Sequence, residues 1–328
     1  MSGSTAPPTT SDSSAATSCG SSTTTAPSGW PTVPDMTQAA YFVVIGLGVG
    51  SVYALSGLGI VTLFAGSGLA NFAQGDFMVL GALVAVNVVG AGFGYLPALA
   101  AAVVVVAAAG LVLGGLFTLP MRHRRVDVDV VIIGTLGVAT TMTTLSGIWF
   151  GRQPQRLDSP LAGSFIPIGD LQVPAHYALL LVGAALVFGV VHWFHRHTDI
   201  GLQLRAVASS VPAARDAGVR VGRMLVVAWT IAALVGGVAG VLVASVVPIA
   251  PEAALPLGVN GFAAAIIGGL ASPAGAVVGG LLIGVAEALA GGYLNDTLRQ
   301  AVAPVVLLAV LILRPGGLLG RSRTVRVA

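Results

Sequence analysis

Apolar residues in this chain fall in long runs rather than in alternation. From Tyr41 onward they occupy residues 41–64, 69–91, 96–119, 130–150, 176–194 and 224–248, then two shorter pieces, 259–271 and 275–290, and a last run, 298–313. A hydrocarbon core of about 30 Å takes roughly 20 helical residues to cross, and inside lipid the backbone must satisfy its own polar groups. The runs therefore predict helices, and the fold class is an all-α polytopic transmembrane helix bundle of about eight spans. The two short pieces flank ASPAG and carry the pairs Gly268–Gly269 and Gly279–Gly280, which weaken a helix. Two readings stand for 259–290: a discontinuous, re-entrant pair lining a transport path, or two tilted helices joined by a tight turn.

Composition agrees with the pattern. Hydrophobic residues make up 55% of the 328 and charged residues only 8%, against about 25% charged in a soluble domain. Residues 1–38 differ: they are mostly Ser, Thr, Pro, Ala and Gly, with almost no charge and one aromatic, Trp30. Such a stretch has too little apolar surface to offset its ordering entropy, so a disordered tail is expected. It has no basic region ahead of an apolar one and does not read as a secretory signal. The chain thus divides into the tail 1–38, a membrane domain 39–320, and a short basic tail 321–328.

All 15 basic residues are arginine. A Walker A loop needs a lysine on the nucleotide phosphates, so the ATP-binding loop of any system this chain serves must lie on another subunit. The single cysteine, Cys19, allows neither an internal disulfide nor a cysteine metal site. Cofactors, metals and nucleic acid are not expected. Arginines cluster at 122, 124 and 125, at 196, 205, 215, 220 and 223, and at 314, 321, 323 and 326. By the positive-inside rule these regions are cytoplasmic, which puts the N-terminus outside. The C-terminal cluster stays inside only if 259–290 crosses twice or dips and returns.

Three stretches carry candidate function. SGLANFAQGDFMVLGA, residues 67–82, puts Asn71, Gln74 and Asp76 at the head of an apolar helix; polar groups at membrane depth are costly and tend to face a cavity or a partner. The alternative is an interfacial position with Asn71 as a helix cap. GVNGFAAAIIGGLASPAGAVVGGLLIGVAEAL, 258–289, has small residues four apart (Gly275 and Gly279; Gly280 and Gly284), a spacing that lets helix backbones approach closely. Glu287 lies inside that apolar run, where it needs a partner such as Arg299 or a helix N-terminus; a structural role is favoured over substrate contact. RAVASSVPAARDAGVRVGR, 205–223, predicts a short helix over 211–217. Ser210 caps it, Pro212 suits its first turn and Gly218 ends it, with Val211 and Ala214 on one face. So short a helix is marginal alone and needs a protein to dock on.

These stretches, with the closing LILRPGGLLGR, resemble the branched-chain amino-acid ABC permease family over roughly residues 41–320, and within it the smaller of the two permease types. NFAQGD matches the family's Asn-Phe-Ala-x-Gly-acid pattern. The resemblance implies a permease in the cell membrane that does no chemistry itself. Its expected partners are ABC ATPase subunits, a second permease subunit, an extracytoplasmic substrate-binding protein and the amino acid. It also implies that 205–223 is the ATPase-coupling segment, with Ser210, Val211, Ala214, Arg215 and Gly218 in the coupling helix. Many relatives carry acidic or amide residues where this chain has Ser209 and Ser210. Asn71, Gln74, Asp76 and Asn260 are the candidate substrate-path residues, since weak polar contacts release cargo more readily than a charged pocket. Members carry branched-chain residues, other amino acids, or urea and amides.

Two rivals remain. An ion-coupled secondary transporter would use buried ionisable residues, for which Asp76 and Glu287 are the clear candidates. An intramembrane enzyme is disfavoured: AQGD comes within one residue of the Gly-x-Gly-Asp protease signature, but neither a Tyr-Asp motif nor His-Glu-x-x-His occurs in the chain.

Overall fold

The structure, a computed structural model, describes residues 36–319 apart from 69–70, 124–127, 160, 162, 169–170 and 315. The predicted tail up to residue 35, Cys19, Arg124 and Arg125, and the basic tail 321–328 lie outside the described residues. The described body begins with α1 at Met36, inside the segment read as tail.

Each apolar run becomes a helix. They are α1 (Met36–Ser67), α2 (Gln74–Gly90), α3 (Tyr95–His123), α4 (Val128–Phe150), α5 (Ala175–His197), α8 (Val221–Ala244), α9 (Ala254–Gly268), α10 (Pro273–Tyr293) and α11 (Asp296–Leu313). Between α5 and α8 come two further helices, α6 (Asp199–Ser209) and α7 (Val211–Asp216). Six helices, α1, α3, α4, α5, α8 and α10, are long and apolar enough to cross a membrane, and α2 and α11 are shorter apolar helices. The all-α polytopic bundle is therefore observed.

The packing follows from small residues. In α10 the predicted small positions serve two partners at once. A Cβ on Gly280 or Gly284 would run into the α1 backbone at Ala54 and Gly50, and one on Gly275 or Gly279 into the α9 backbone at Gly268 and Ala264. Two α-carbon stripes without side chains let three helices close on one another, which is how apolar helices gain dispersion contact where lipid offers no hydrophobic drive. On the other side of the bundle Gly237 of α8 receives Val106 of α3, and Phe117 stacks on Trp229 with ring centroids 5.1 Å apart.

The region 259–290 is a helical hairpin. Helices α9 and α10 are joined by residues 269–272, with Gly269 at φ +101° in a conformation that favours glycine and Ser272 capping α10 through Gly275 N–H at 3.1 Å. The 15 residues of α9 reach only about 22 Å at 1.5 Å per residue. Its C-terminal carbonyls are covered from α11's side: Leu318 N–H donates to Ile267 O and Leu319 N–H to Gly268 O, at 2.7 and 3.1 Å. The closing segment quoted in the resemblance is thus a cap on α9.

Helices α2 and α9 are the shortest of those formed by the apolar runs, and their beginnings meet. A Cβ on Gly75 would fall on the Ala254 carbonyl. Ala73 and Gln74 are fully buried there, as irregular backbone at membrane depth must be. A hairpin not foreseen from the sequence, β1 (Phe165–Ile168) paired antiparallel with β2 (Leu171–Pro174) in the register Phe165↔Pro174, precedes α5. Four-residue strands with one Pro each carry too little alternation to stand out from a loop.

Candidate substrate path and coupling segment

Two groups stand out among the buried polar residues. The first begins at Glu287, 5% exposed. Tyr53 O–H of α1 donates to its Oε2 at 2.8 Å and Asn260 Nδ2 of α9 to its Oε1 at 3.2 Å. Both carboxyl oxygens accept a hydrogen bond, and the group ties three helices together. A cavity of about 280 Å³ opens beside it, lined by Glu287 and Arg299, by Phe42, Ile45 and Val49 of α1, by Tyr177 at the start of α5, and by Val246 and Val247 after α8. Arg299, the partner expected for Glu287, lines the same cavity, while the hydrogen bonds come from Tyr53 and Asn260.

The second group holds the other predicted path residues. Asn71 Oδ1 accepts from Ala73 N–H at 2.9 Å, so its side chain braces the turn into α2. Gln74 Nε2 donates to the Ala232 carbonyl of α8 at 3.0 Å, and Asp76 accepts from Thr143 Oγ1 of α4 at 2.6 Å. Asn71 Nδ2, Gln74 Oε1 and Ser56 Oγ are buried without a hydrogen-bond partner among the described residues. Of the four predicted residues, then, Asn260 joins the Glu287 group and Asn71, Gln74 and Asp76 gather where α1, α2, α4 and α8 meet. Tyr53 and Thr143 were not singled out in the sequence. Thr143 sits in the run TTMTT, whose polar density in an apolar span was the available signal; Tyr53 offered none.

The loop 205–223 folds as its start and stop signals require. Helix α7 spans Val211–Asp216, with Ser210 Oγ accepting from Ala213 N–H at 3.4 Å and Pro212 in the first turn. Gly218 takes φ +80°, and Val219 N–H returns to the Ala214 carbonyl at 2.9 Å, a glycine-ended helix stop. Ala214 is 2% exposed, packed in one cluster with Leu204, Val207, Val221 and Met224. This corrects one part of the reading: the face carrying Ala214 is covered by α6 and α8 of the same chain. Pro212, Ala213, Arg215, Asp216 and Ala217 are the exposed positions. Helix α6 supplies the missing apolar support through Leu204 and Val207; it was not foreseen because it is short and polar beside the apolar runs that flank it, although its buried Gly201, Leu204 and Val207 recur at helical spacing.

Near this segment a second cavity, of about 630 Å³, is lined by the far end of α1 (Leu58, Val61, Thr62), by His192, His195 and Arg196 of α5, by Arg205 and Ser209 of α6, and by Ser272. Since the first cavity is lined by residues 42–49 of α1 and the second by 58–65, the two lie at opposite ends of that helix.

Residues 42–313 match the family described as branched-chain amino acid transport system / permease component. The chain is 26% identical over 303 residues to the high-affinity branched-chain amino acid transport system permease protein LivH of Salmonella typhimurium, covering 86% of this chain and 96% of LivH. It is 27% identical over 309 residues to the corresponding permease BraD of Pseudomonas aeruginosa, covering 90% of this chain and all of BraD. It is also 28% identical over 255 residues to the ribose import permease RbsC of Escherichia coli, covering 74% of this chain and 76% of RbsC. No solved structure matches it. With the match extending from the first helix to the last, the chain belongs to the branched-chain amino acid transport system permease family.

Proposed function

We propose that this protein is the membrane-spanning permease subunit of an ABC importer that moves branched-chain or related amino acids across the cell membrane. The observation that carries the reading is the family match over the whole helical body, residues 42–313. In this reading ATP is hydrolysed by partner subunits, a second permease completes the path, and an extracytoplasmic binding protein delivers the solute. The arginine-rich end, with α6, α7 and the larger cavity, faces the cytoplasm; the Glu287 cavity faces outward. The exposed side of α7, with Arg215 and Asp216, offers the ATPase a capped, rigid contact, and burial of Ala214 on the opposite side holds that contact to α8. Motion of the ATPases then reaches a span that packs on α1, α2 and α3.

The test is reconstitution in liposomes with the ATPase, second-permease and binding-protein subunits of a branched-chain amino acid importer. ATP-dependent uptake of labelled leucine that disappears when the ATPases are left out is expected. Uptake by this chain alone under a proton or sodium gradient would replace the importer reading with the secondary-transport one. Reporter fusions after Ala328 test the orientation, and activity in an outside-only format overturns it.

A further inference from the structure

Helices α1, α5 and α10 share a line of cavities. On α5 the lining positions include 177, 181, 184, 188, 191 and 195, three or four residues apart, which is one face of a helix. The same spacing recurs on α1 between Phe42 and Ala65, and on α10 between Pro273 and Gly291. Between the Glu287 cavity and the arginine-rich one lies a third, of about 220 Å³. Its walls include Ala54 and Leu55 of α1, Leu181 and Ala185 of α5, and Val277 and Leu281 of α10.

The three cavities keep one order on every helix. Starting from the Glu287 cavity, the lining moves along α1 from 42–49 to 51–55 to 58–65, and along α5 from 177 to 181–188 to 188–196. On α10, which runs the other way, it moves from 284–292 to 277–281 to 273–274. Unrelated pockets would have no reason to keep one register on three helices. The first two cavities are two to four residues apart on each helix, about one turn or less, and Phe188 lines both the second and the third. From Phe42 to Ala65, α1 rises about 35 Å at 1.5 Å per residue, enough to cross a hydrocarbon core of about 30 Å.

The chemistry changes along this line. Glu287 stands at one end, and Arg196, Arg205, His192 and His195 at the other. The middle is apolar except for Ser51, whose Oγ already donates to the Gly48 carbonyl at 2.6 Å. An aliphatic side chain can slide along such a wall, whereas a polar one would give up water there without a hydrogen-bond partner, at a cost of about 1–3 kcal/mol. Phe188 is half-buried where the middle and inner cavities meet, its ring stacked on His192 with centroids 5.8 Å apart. Asn71, Gln74 and Asp76 line none of the three cavities.

We propose that the facing stripes of α1, α5 and α10 form the wall along which the amino acid's aliphatic side chain crosses the membrane, with Phe188 setting the size that passes. The proposal deepens the importer reading and rests on it. With only 11% of its apolar window buried, α5 has free surface on which the second permease can close the path.

The test uses the assembled importer in liposomes with Cys19, the only native cysteine, replaced by serine. Single cysteines are placed at Ala185 and Leu281, which wall the middle cavity, and at Val182, which is exposed on α5 and lines none of the three. Each variant meets a charged, water-soluble thiol reagent, and leucine uptake is measured before and after. Ala185→Cys and Leu281→Cys are expected to react severalfold faster with ATP and leucine present than without, and to lose most of their uptake on labelling. Val182→Cys is expected to do neither. No reaction at 185 and 281 in a complex that imports leucine, reaction with a lipophilic reagent alone (the sign of a groove for acyl chains), labelling without loss of uptake, or equal behaviour at all three positions would overturn the path and leave the importer reading intact. Absence of ATP-dependent uptake by the unlabelled parent complex would remove the importer reading, and this one with it. Phe188→Trp is expected to slow leucine import severalfold more than valine import, with KM unchanged because capture by the binding protein comes first. Equal losses for the two solutes, or none, would deny Phe188 its sizing role. The cysteine comparison leaves Phe188 unaltered, so it decides the path even where Phe188→Trp fails to fold.

Discussion

Helices α1 and α8 and helices α3, α4 and α5 cannot be told apart by hydropathy. Over their most apolar windows α1 and α8 have mean hydropathies of 1.9 and 2.3, and α3, α4 and α5 have 2.6, 1.5 and 2.0. Yet 72% and 67% of the first two windows are buried in the protein, against 22%, 17% and 11% of the other three. Glycine placement accompanies the division. On α1 and α8, Gly50, Gly59, Gly236 and Gly240 each face a neighbouring helix so closely that a Cβ would collide; α3 makes one such approach, to α8 through Gly110 and Gly114, while Gly115 of α3, Gly137 of α4 and Gly189 of α5 face open space. In lipid an apolar side chain has no reason to leave the surface, so burial goes to the helices whose backbones can approach. The outer set keeps Val104, Ile133, Trp149 and Leu186 exposed, a surface for acyl chains or for the second permease of the proposed complex.

Substitutions should reproduce this division. The largest effect is expected from Gly284→Leu, whose side chain would have to occupy the Gly50 backbone of α1. A loss above about 4 kcal/mol, at the far end of what single substitutions do, would appear as failure to recover monodisperse protein in detergent. Recovery at a normal melting temperature would show that α1 and α10 are not packed as described. Next is Ala214→Glu, which puts a carboxylate among Leu204, Val221 and Met224. The cost of several kcal/mol for a buried ion should lower the thermal midpoint of the isolated permease. Arg215→Glu, on the exposed side of α7, should leave that midpoint unchanged and reduce ATPase co-purification. Equal midpoints for the two variants would deny α7 an inner and an outer face.

A smaller loss is expected from Tyr53→Phe, which removes one donor to Glu287 and leaves the carboxylate short of a partner, at about 1–3 kcal/mol. Measured by thermal midpoint with leucine uptake in parallel, a loss of uptake exceeding the loss of stability would tie the network to transport. Least of all, Gly189→Ala on α5 adds a methyl into open space. It should leave stability and uptake within about 1 kcal/mol of the parent, with the sign toward stabilisation because alanine forms helix better. A clear loss there would place an unseen partner on α5.

Much was legible in the order of residues alone. Every apolar run is a helix, because lipid leaves the backbone no other choice, and the hairpin at 259–290 lies where the Gly pairs and ASPAG marked it. The stop and start of α7 were also readable, since Ser210, Pro212 and Gly218 act on their own neighbours in the chain. The close approach of α10's small residues was expected; its division between α1 and α9 was not. Long-range pairings had no such mark. That Tyr53 reaches Glu287 across 234 positions of sequence, that Thr143 covers Asp76, and that Ala214 turns inward onto α6 and α8 follow from which helices meet. A hydropathy pattern carries no term for that. Caps, turns and spans are decided within a few residues by backbone sterics and the solvent. The partners of a buried polar group, and which apolar helix is inside, depend on the shapes of surfaces that the chain brings together only once it has packed.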